Sequence, residues 1–190
     1  MDFRLIVGLG NPGSEYSRTR HNVGFMILDH LAESQGTTFR AEKAWKALAT
    51  RAGGLQLLKP QTYMNLSGES VQAAARFYKV DPQQVLVVLD DLSLPLGKLR
   101  FRNGGGSGGH RGLQSILECL GTNSVPRLRV GIGEPPGNSG SDRDARVVDH
   151  VLGSFSAEEH EALPAILKNA KEAIECACQQ GLTVAMNQYN

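Results

Sequence analysis

The fold is decided by the stretch 85–91, VLVVLDD, in which five apolar residues lead directly into two acids. A continuous apolar run of this length is typical of a strand covered on both faces, at the centre of a parallel sheet. Acids at the carboxyl end of such a strand lie where α/β proteins bind ligands. We therefore predict that Asp90 or Asp91 faces a functional cleft. The alternative is that both acids only end the strand and cap the turn before Pro95.

Outward from this strand, segments with strand and helix patterns alternate along the chain. Strands are predicted over 3–9, 47–52, 55–59, 98–102 and 128–132, and the second and third form a hairpin at Gly53 and Gly54. Amphipathic helices are predicted over 23–31, 71–78, 113–120 and 163–174. This alternation predicts one α/β domain over 1–190, a three-layer sandwich with helices around a largely parallel sheet.

Helix ends and loops follow from individual residues. Asn22 and Ser67 are predicted N-caps, and Ser156 with Glu159 predicts a capping box. Gly36 ends the first helix and Gly181 ends the last. Glycine, proline, serine and charge dominate residues 133–146, which predicts a mobile loop.

Composition narrows the class of protein. The chain is 41% hydrophobic and 21% charged, with a net charge of +1, which is ordinary for a soluble globular protein. It has no apolar stretch near the roughly 18 residues of a membrane helix. The start Met1–Arg4 runs straight into a strand pattern, leaving no room for a signal or transit peptide. We therefore expect a cytoplasmic protein with no membrane partner.

The three cysteines are an odd number, which argues against a disulfide scaffold. Cys176 and Cys178 have no further His or Cys cluster nearby to complete a zinc site. We therefore predict no metal.

His21 is the most informative histidine. It ends a polar loop and precedes a helix, whereas a core histidine would lie on an apolar stripe. The alternative is a solvent-exposed residue at a helix start. A neutral imidazole is suited to take a proton from water, and it works best when a carboxylate fixes its tautomer. His21 is therefore a candidate general base.

Two glycine motifs suggest other chemistry. GLGNPG at 8–13 matches the G-x-G-x-x-G pattern of dinucleotide binding. That pattern needs a helix directly after the loop and an acid ending a second strand, but 14–21 has no helical period and Asp29 lies in a helical pattern. A tight turn accounts for the glycines but not for Asn11.

The second motif is GGSGG at 105–109, which matches G-x-S-x-G between a strand and a helix. A nucleophile at Ser107 would need partners such as Asp149 and His160, whose segments have structural patterns. We favour a glycine-rich loop that lets a bulky backbone approach.

A basic stretch precedes and follows this loop. Lys98, Arg100 and Arg102 project from one face of the predicted strand. Residues 98–111, which end at His110 and Arg111, contain no acid. Such a stripe suits phosphates, although lysine and arginine also protect the edge strands of sheets.

Together, several segments resemble the bacterial peptidyl-tRNA hydrolase family, in order over nearly the whole chain. They are GLGNPG at 8–13, Tyr16, TRHNVGF at 19–25, KPQTYMNLSG at 59–68, DDL at 90–92, LP at 94–95, GGGSGGHRGL at 104–113 and RLRVGIG at 127–133. The resemblance implies a monomer with a twisted mixed sheet, using no metal and no cofactor. Its activity would be hydrolysis of the ester between a peptide and the 3′ end of tRNA.

The resemblance also implies residue roles. His21 would activate water, and Asp90 would orient and polarise His21. Asn11 and Asn65 would hold the peptide carbonyls and the attacked ester. Contacts to the acceptor stem and 3′ end of the tRNA are expected from Tyr16, Tyr63, Asn65, Arg111, Arg129 and the stripe of Lys98, Arg100 and Arg102.

This chain departs from the family pattern at two positions. Arg111 stands where the family usually has asparagine, and Ser93 replaces an acid found in many relatives. Arginine keeps hydrogen-bond donors, adds charge and loses the acceptor, so a phosphate becomes the expected partner of Arg111.

Two alternatives to the hydrolase hypothesis remain. One is a binding module that keeps the RNA surface for RNA processing, and the other is a serine esterase that uses Ser107.

Overall fold

The computed structural model describes residues 2–135 and 143–190, except for the side chain of Arg143. The strands are β1 Leu5–Gly8, β2 Arg40–Glu42, β3 Ala47–Ala52, β4 Leu55–Pro60, β5 Val85–Asp91, β6 Leu99–Arg102 and β7 Arg127–Gly131. The helices are α1 Val23–Ser34, α2 Ser67–Tyr78, α3 Arg111–Leu120, α4 Arg143–Leu152, α5 Ala157–Gln180 and α6 Leu182–Tyr189. Within these residues, no helix is long and apolar enough to cross a bilayer.

The seven strands form one mixed sheet in the order β2-β3-β4-β1-β5-β7-β6. The four central strands are parallel, and the pairs β2–β3, β3–β4 and β6–β7 are antiparallel. The predicted central strand is confirmed: every residue of β5 is buried. The predicted hairpin is also confirmed, because both Gly53 and Gly54 have the positive φ angles that a two-residue turn requires.

Two apolar layers cover the sheet, which confirms the three-layer α/β architecture. Ile6, Leu86 and Val88 belong to a core shared with α1, α5 and α6. Val7, Val87 and neighbouring residues belong to a second core shared with α2 and α3. Since side chains alternate between the faces of a strand, the apolar runs in β1 and β5 supply both layers.

Glycines let the backbones around the carboxyl ends of β1 and β5 touch. A Cβ at Gly24 would lie 2.6 Å from the carbonyl oxygen of Val88, closer than any real contact. The first turn of α1 therefore packs directly on the sheet. This close approach places His21, just before α1, over the end of β5.

Of the two predicted N-caps, Asn22 has the predicted position but makes no side-chain cap bond, and Ser67 is wrong. Asn22 occupies the cap position of α1, but its side chain bonds the backbone N–H and carbonyl of Asn11, both at 2.9 Å. Ser67 is the first residue of α2, and its hydroxyl donates to the Met64 carbonyl. The capping box of Ser156 and Glu159 at the start of α5 is confirmed.

The predicted loop over 133–146 is wrong at its end, where residues 143–146 form the first turn of α4; residues 136–142 lie outside the described residues. Sequence patterns also gave no indication of β2 or α6. Gly181 does end α5, but α6 follows immediately.

Candidate active site

A cleft of about 1070 Å³ lies at the carboxyl end of the central strands. Its floor includes His21 and Asp90, and its rim includes the glycine loop 104–109 and α4. Ligands bind α/β sheets at this edge. The cleft brings together most of the sequence-predicted site residues, namely Asn11, His21, Tyr63, Asn65, Asp90, Arg102, Arg111 and Arg129.

His21 and Asp90 are directly bonded across the cleft floor. The Nδ1 atom of His21 lies 2.9 Å from both carboxylate oxygens of Asp90. A carboxylate only accepts hydrogen bonds, so Nδ1 carries the proton and Nε2, across the ring, keeps a free lone pair. The His21 side chain is 13% exposed and that of Asp90 only 3%. The imidazole is therefore held in the tautomer that can accept a proton.

His110 is a second partner of Asp90, and sequence reasoning assigned it only to the basic stretch. Its Nε2 atom lies 2.9 Å from Asp90 Oδ1, and its ring centroid is 5.1 Å from that of His21. Its Nδ1 atom accepts the Leu113 N–H at 3.2 Å and so caps α3. Histidine is not among the preferred N-cap residues, so no sequence signal marked this role.

The two imidazoles decide the ionisation of Asp90. Burial alone would raise the pKa of this carboxyl, but the charges and hydrogen bonds of His21 and His110 outweigh it and hold the pKa well below its usual range. Asp90 is therefore a carboxylate at neutral pH. A fixed negative charge beside His21 stabilises the imidazolium that forms when the ring takes a proton.

Ligand atoms of His21, Asp90 and His110 lie within 4.8 Å of one another, as a metal site would require. However, Leu113 donates its N–H to Nδ1 of His110, so the proton of the neutral ring is on Nε2, facing Asp90. A metal bound at Nε2 of His110 would require the tautomer with the proton on Nδ1. That N–H would then point at the N–H of Leu113. The trio therefore fits a hydrogen-bonded relay and does not fit a metal.

Asn11 is buried and its amide is oriented by the protein. Its Oδ1 atom accepts the Met64 N–H at 2.8 Å, and Asn22 holds its backbone on both sides. In this orientation the Nδ2 hydrogens of Asn11 remain available to the cleft. An oriented amide donor can bond a carbonyl oxygen or the oxyanion that replaces it.

The aromatic and amide candidates occupy different places. Tyr63 is 61% exposed and lines the cleft. Asn65 is also exposed in the cleft wall, on the turn that leads into α2. Tyr16 is half-buried in a separate 3-10 turn and does not line the cleft.

One wall of the cleft is cationic. Arg102 and Arg111 are exposed there. Arg129 forms an ion pair with Asp91. Arg127 is buried, and it donates from Nη1 to the carbonyls of Gly105 and Gly106; burial and the nearby Arg129 lower its pKa. Arg127 thus fixes the glycine loop to β7.

The three cations of the basic stripe differ in their position relative to the cleft. β6 is an edge strand of the sheet, and of the three cations of the stripe only Arg102 lines the cleft. Lys98 donates from Nζ to the Asn190 carbonyl at 3.0 Å. Arg100 is half-buried on the strand between them.

The two alternative sites, a serine nucleophile at Ser107 and a dinucleotide-binding loop after β1, lack the partners they would need in the described residues. The Ser107 hydroxyl accepts a bond from the Gly109 N–H. Asp149 and His160 lie on α4 and α5, and no hydrogen bond links either to Ser107 among the described residues. The loop after β1 leads into 3-10 turns, not a helix, as expected if it does not bind a dinucleotide.

A histidine bonded to a buried carboxylate, beside an oriented amide donor and exposed arginines, is an arrangement typical of hydrolases that use a general base. The family model for peptidyl-tRNA hydrolase matches residues 5–190. The chain is 52% identical to a peptidyl-tRNA hydrolase of Chloroflexus aurantiacus over 98% of both proteins. It is 50% identical to one of Synechococcus sp. (strain JA-3-3Ab), over 98% of this chain and 82% of that protein.

A comparison with solved structures points to the same family as the sequence comparisons. The crystal structure of peptidyl-tRNA hydrolase from Acinetobacter baumannii superposes with a TM-score of 0.88 at 38% identity, covering 99% of this chain and 94% of that one. This chain belongs to the peptidyl-tRNA hydrolase family.

Proposed function

We propose that this protein hydrolyses the ester bond between the peptide and the 3′ end of tRNA in peptidyl-tRNA, with His21 as the general base. The observation that carries this proposal is the 2.9 Å bond from His21 Nδ1 to the buried carboxylate of Asp90. That bond leaves the other ring nitrogen free to take a proton from water. No covalent enzyme intermediate is needed, because an ester is already an activated acyl group.

The reaction then runs in two proton transfers. His21 takes a proton from water as the oxygen attacks the ester carbonyl carbon, and Asp90 stabilises the resulting imidazolium. The carbonyl oxygen becomes an oxyanion, which the amides of Asn11 and Asn65 stabilise by donating hydrogen bonds. When the ester C–O bond breaks, His21 returns the proton to the ribose oxygen, giving a free peptide acid and tRNA.

The tRNA binds along the cationic wall of the cleft. Arg102, Arg111 and Arg129 lie there and neutralise phosphates, and the exposed ring of Tyr63 stacks on a base of the 3′ end. Arg111 adds a phosphate contact at the start of α3. Tyr16, Lys98 and Arg100 contact parts of the tRNA outside the cleft.

We further propose that the protein acts as a monomer of one domain over 1–190, in the cytoplasm, without a metal or organic cofactor. The trio of His21, Asp90 and His110 supports a metal-free mechanism, since the tautomer of His110 opposes metal binding.

The test is a release assay with purified protein on N-acetylaminoacyl-tRNA and on the same aminoacyl-tRNA with a free amino group. We expect rapid release from the blocked substrate and slow release from the free one. A free amine leaves an amide recognition group unpaired, which costs about 1–3 kcal/mol. Tight tRNA binding without release would favour the RNA-binding module. Loss of release in Ser107→Ala would favour the serine esterase.

A further inference from the structure

The second half of the helix α4 forms an apolar wall of the cleft, while Asp144 and Arg146 of its first turn also line the cleft. Val147, Val148, Val151 and Leu152 line the cleft, and Val148 and Leu152 are 42% and 38% exposed. Apolar side chains exposed in a cleft bind the apolar part of a ligand. In a peptidyl-tRNA, that part is the peptide.

A single residue, Arg20, ties this wall to the segment that carries the general base. Its Nη1 atom donates to the His150 carbonyl at 3.2 Å, in the last turn of α4. Its backbone N–H donates to the Gly153 carbonyl at 3.0 Å. Its Nη2 atom forms an ion pair with Glu159 at 2.5 Å, in the first turn of α5.

The surroundings of Arg20 keep these contacts together. The guanidinium lies 5.7 Å from the centroid of the Phe155 ring. Thr19 forms an isolated antiparallel bridge with Ser154. The Arg20 side chain is 12% exposed, so water competes weakly for its bonds. One turn of chain, 19–21, therefore holds both the base and the end of α4.

Gly153 makes this approach possible. A Cβ at this position would lie 3.0 Å from Arg20 Nη1 and 2.9 Å from the Asp149 carbonyl oxygen. His150 adds a second anchor, with Nε2 3.0 Å from the Gly133 carbonyl oxygen. The carboxyl end of α4 is thus fixed from two sides, by Arg20 and by the end of the sheet.

We infer that Arg20 is a positioning residue for the substrate: with Glu159 it holds α4 as the wall that binds the peptide part of peptidyl-tRNA. This inference rests on the proposed function. It assigns Arg20 an effect on KM, because the wall contacts the peptide in the bound state and in the transition state alike. The His21 ring is held separately by its bonds to Asp90, so loosening of α4 is expected to leave the base in place.

Glu159→Gln is the most informative variant, because it separates the ion pair with Arg20 from the capping box. Glutamine at the third position of a helix still completes a capping box, so the bond to the Ser156 N–H survives while the charge is removed. Arg20→Lys is a second variant, which keeps the charge but loses the forked geometry. The matched control is Glu175→Gln, since Lys171 and Glu175 form an ion pair on α5 that is also largely buried, with side chains 20% and 29% exposed, and that no cleft-lining residue shares.

The variants are compared with two substrates on the same tRNA, one carrying an apolar peptide and one carrying a glycine peptide. We expect Glu159→Gln and Arg20→Lys to raise KM for the apolar peptide by roughly 3- to 10-fold. We expect a KM change below about twofold for the glycine peptide, with kcat within about twofold for both. Backbone amide exchange over 145–152 should become faster in both variants and stay unchanged in Glu175→Gln.

An unchanged KM for the apolar peptide, even in a less stable variant, overturns the inference and leaves Arg20 as a purely structural residue. A lower kcat at constant KM also overturns it, because Arg20 would then act on His21. Equal KM changes for the two peptides would overturn the assignment of α4 to the peptide. Failure of the wild type to release any peptide is a different result, which refutes the proposed function itself.

Discussion

The role proposed for Asp90 requires a carboxylate and could not be performed by an amide. It accepts N–H groups from His21 and His110, both at 2.9 Å, and its side chain is only 3% exposed. An asparagine has one acceptor oxygen and a donor group. Its NH₂ would face a ring nitrogen and favour the His21 tautomer that carries its proton on Nε2, where the base needs a lone pair.

We therefore expect Asp90→Asn to lower kcat by about 10²–10⁴-fold, the range for loss of a general base, with tRNA binding unchanged. Single-turnover release and a filter-binding assay would measure the two effects. Asp91→Asn is the matched control, since Asp91 pairs with Arg129 and not with a histidine. Equal losses in kcat for the two variants would contradict the role of Asp90.

The same carboxylate links stability to pH. The folded-state pKa of Asp90 is held below its usual value by its two histidine neighbours, so its stabilising effect is present above the unfolded pKa of about 3.9 and is lost as the pH falls below it. We expect urea denaturation between pH 3 and 7 to show a steeper acid-side loss of stability in the wild type than in Asp90→Asn. Parallel curves would show that Asp90 makes no such contribution.

At the scale of elements, sequence patterns predicted the strands and helices whose apolar pattern is undisturbed, such as β5. They also predicted the capping box at the start of α5. β2 was missed because its three residues are all exposed and carry no pattern. The helix α4 was missed because its apolar positions, including Val147, Val151 and Leu152, adjoin a glycine- and proline-rich segment that dominated the window.

The N-terminus of α3 carries a prediction, because His110 both caps this helix and bonds Asp90. His110→Asn should keep the cap and lose the bond, while His110→Ala loses both. We expect both variants to lower kcat, and His110→Ala to lower the free energy of unfolding by about 1 kcal/mol more than His110→Asn. Urea denaturation and kcat measured on the same samples separate the two roles. Normal kcat in both variants would exclude His110 from the relay.

At the scale of the whole molecule, the topology assembles the cleft from distant segments. His21 and Asp90 lie 69 positions apart and meet because β1 and β5 are parallel neighbours. Periodicity predicts which face of an element is buried, but not which elements become neighbours. The pairing of these two residues was therefore expected only from the family resemblance. The second bond of Asp90, to His110, depends on the packing of α3 and was not predicted.

The cationic wall predicts a salt-dependent KM. Each Arg or Lys that neutralises a phosphate releases counterions, so its loss reduces the slope of log KM against log salt by about one. We expect this reduction for Arg102→Gln. For Lys98→Gln, directly before the same strand, we expect a smaller change, because Lys98 lies outside the cleft and bonds Asn190. Equal slopes for Arg102→Gln and the wild type would remove Arg102 from the tRNA surface.

The most direct test of the central claim is single-turnover release of peptide by His21→Ala at saturating enzyme, with tRNA affinity measured in parallel. If the free ring nitrogen of His21 activates the water, release slows by about 10²–10⁴-fold while the affinity for tRNA stays within about twofold. Release at a rate close to that of the wild type would show that another group removes the proton, and the mechanism built on His21 and Asp90 would be wrong.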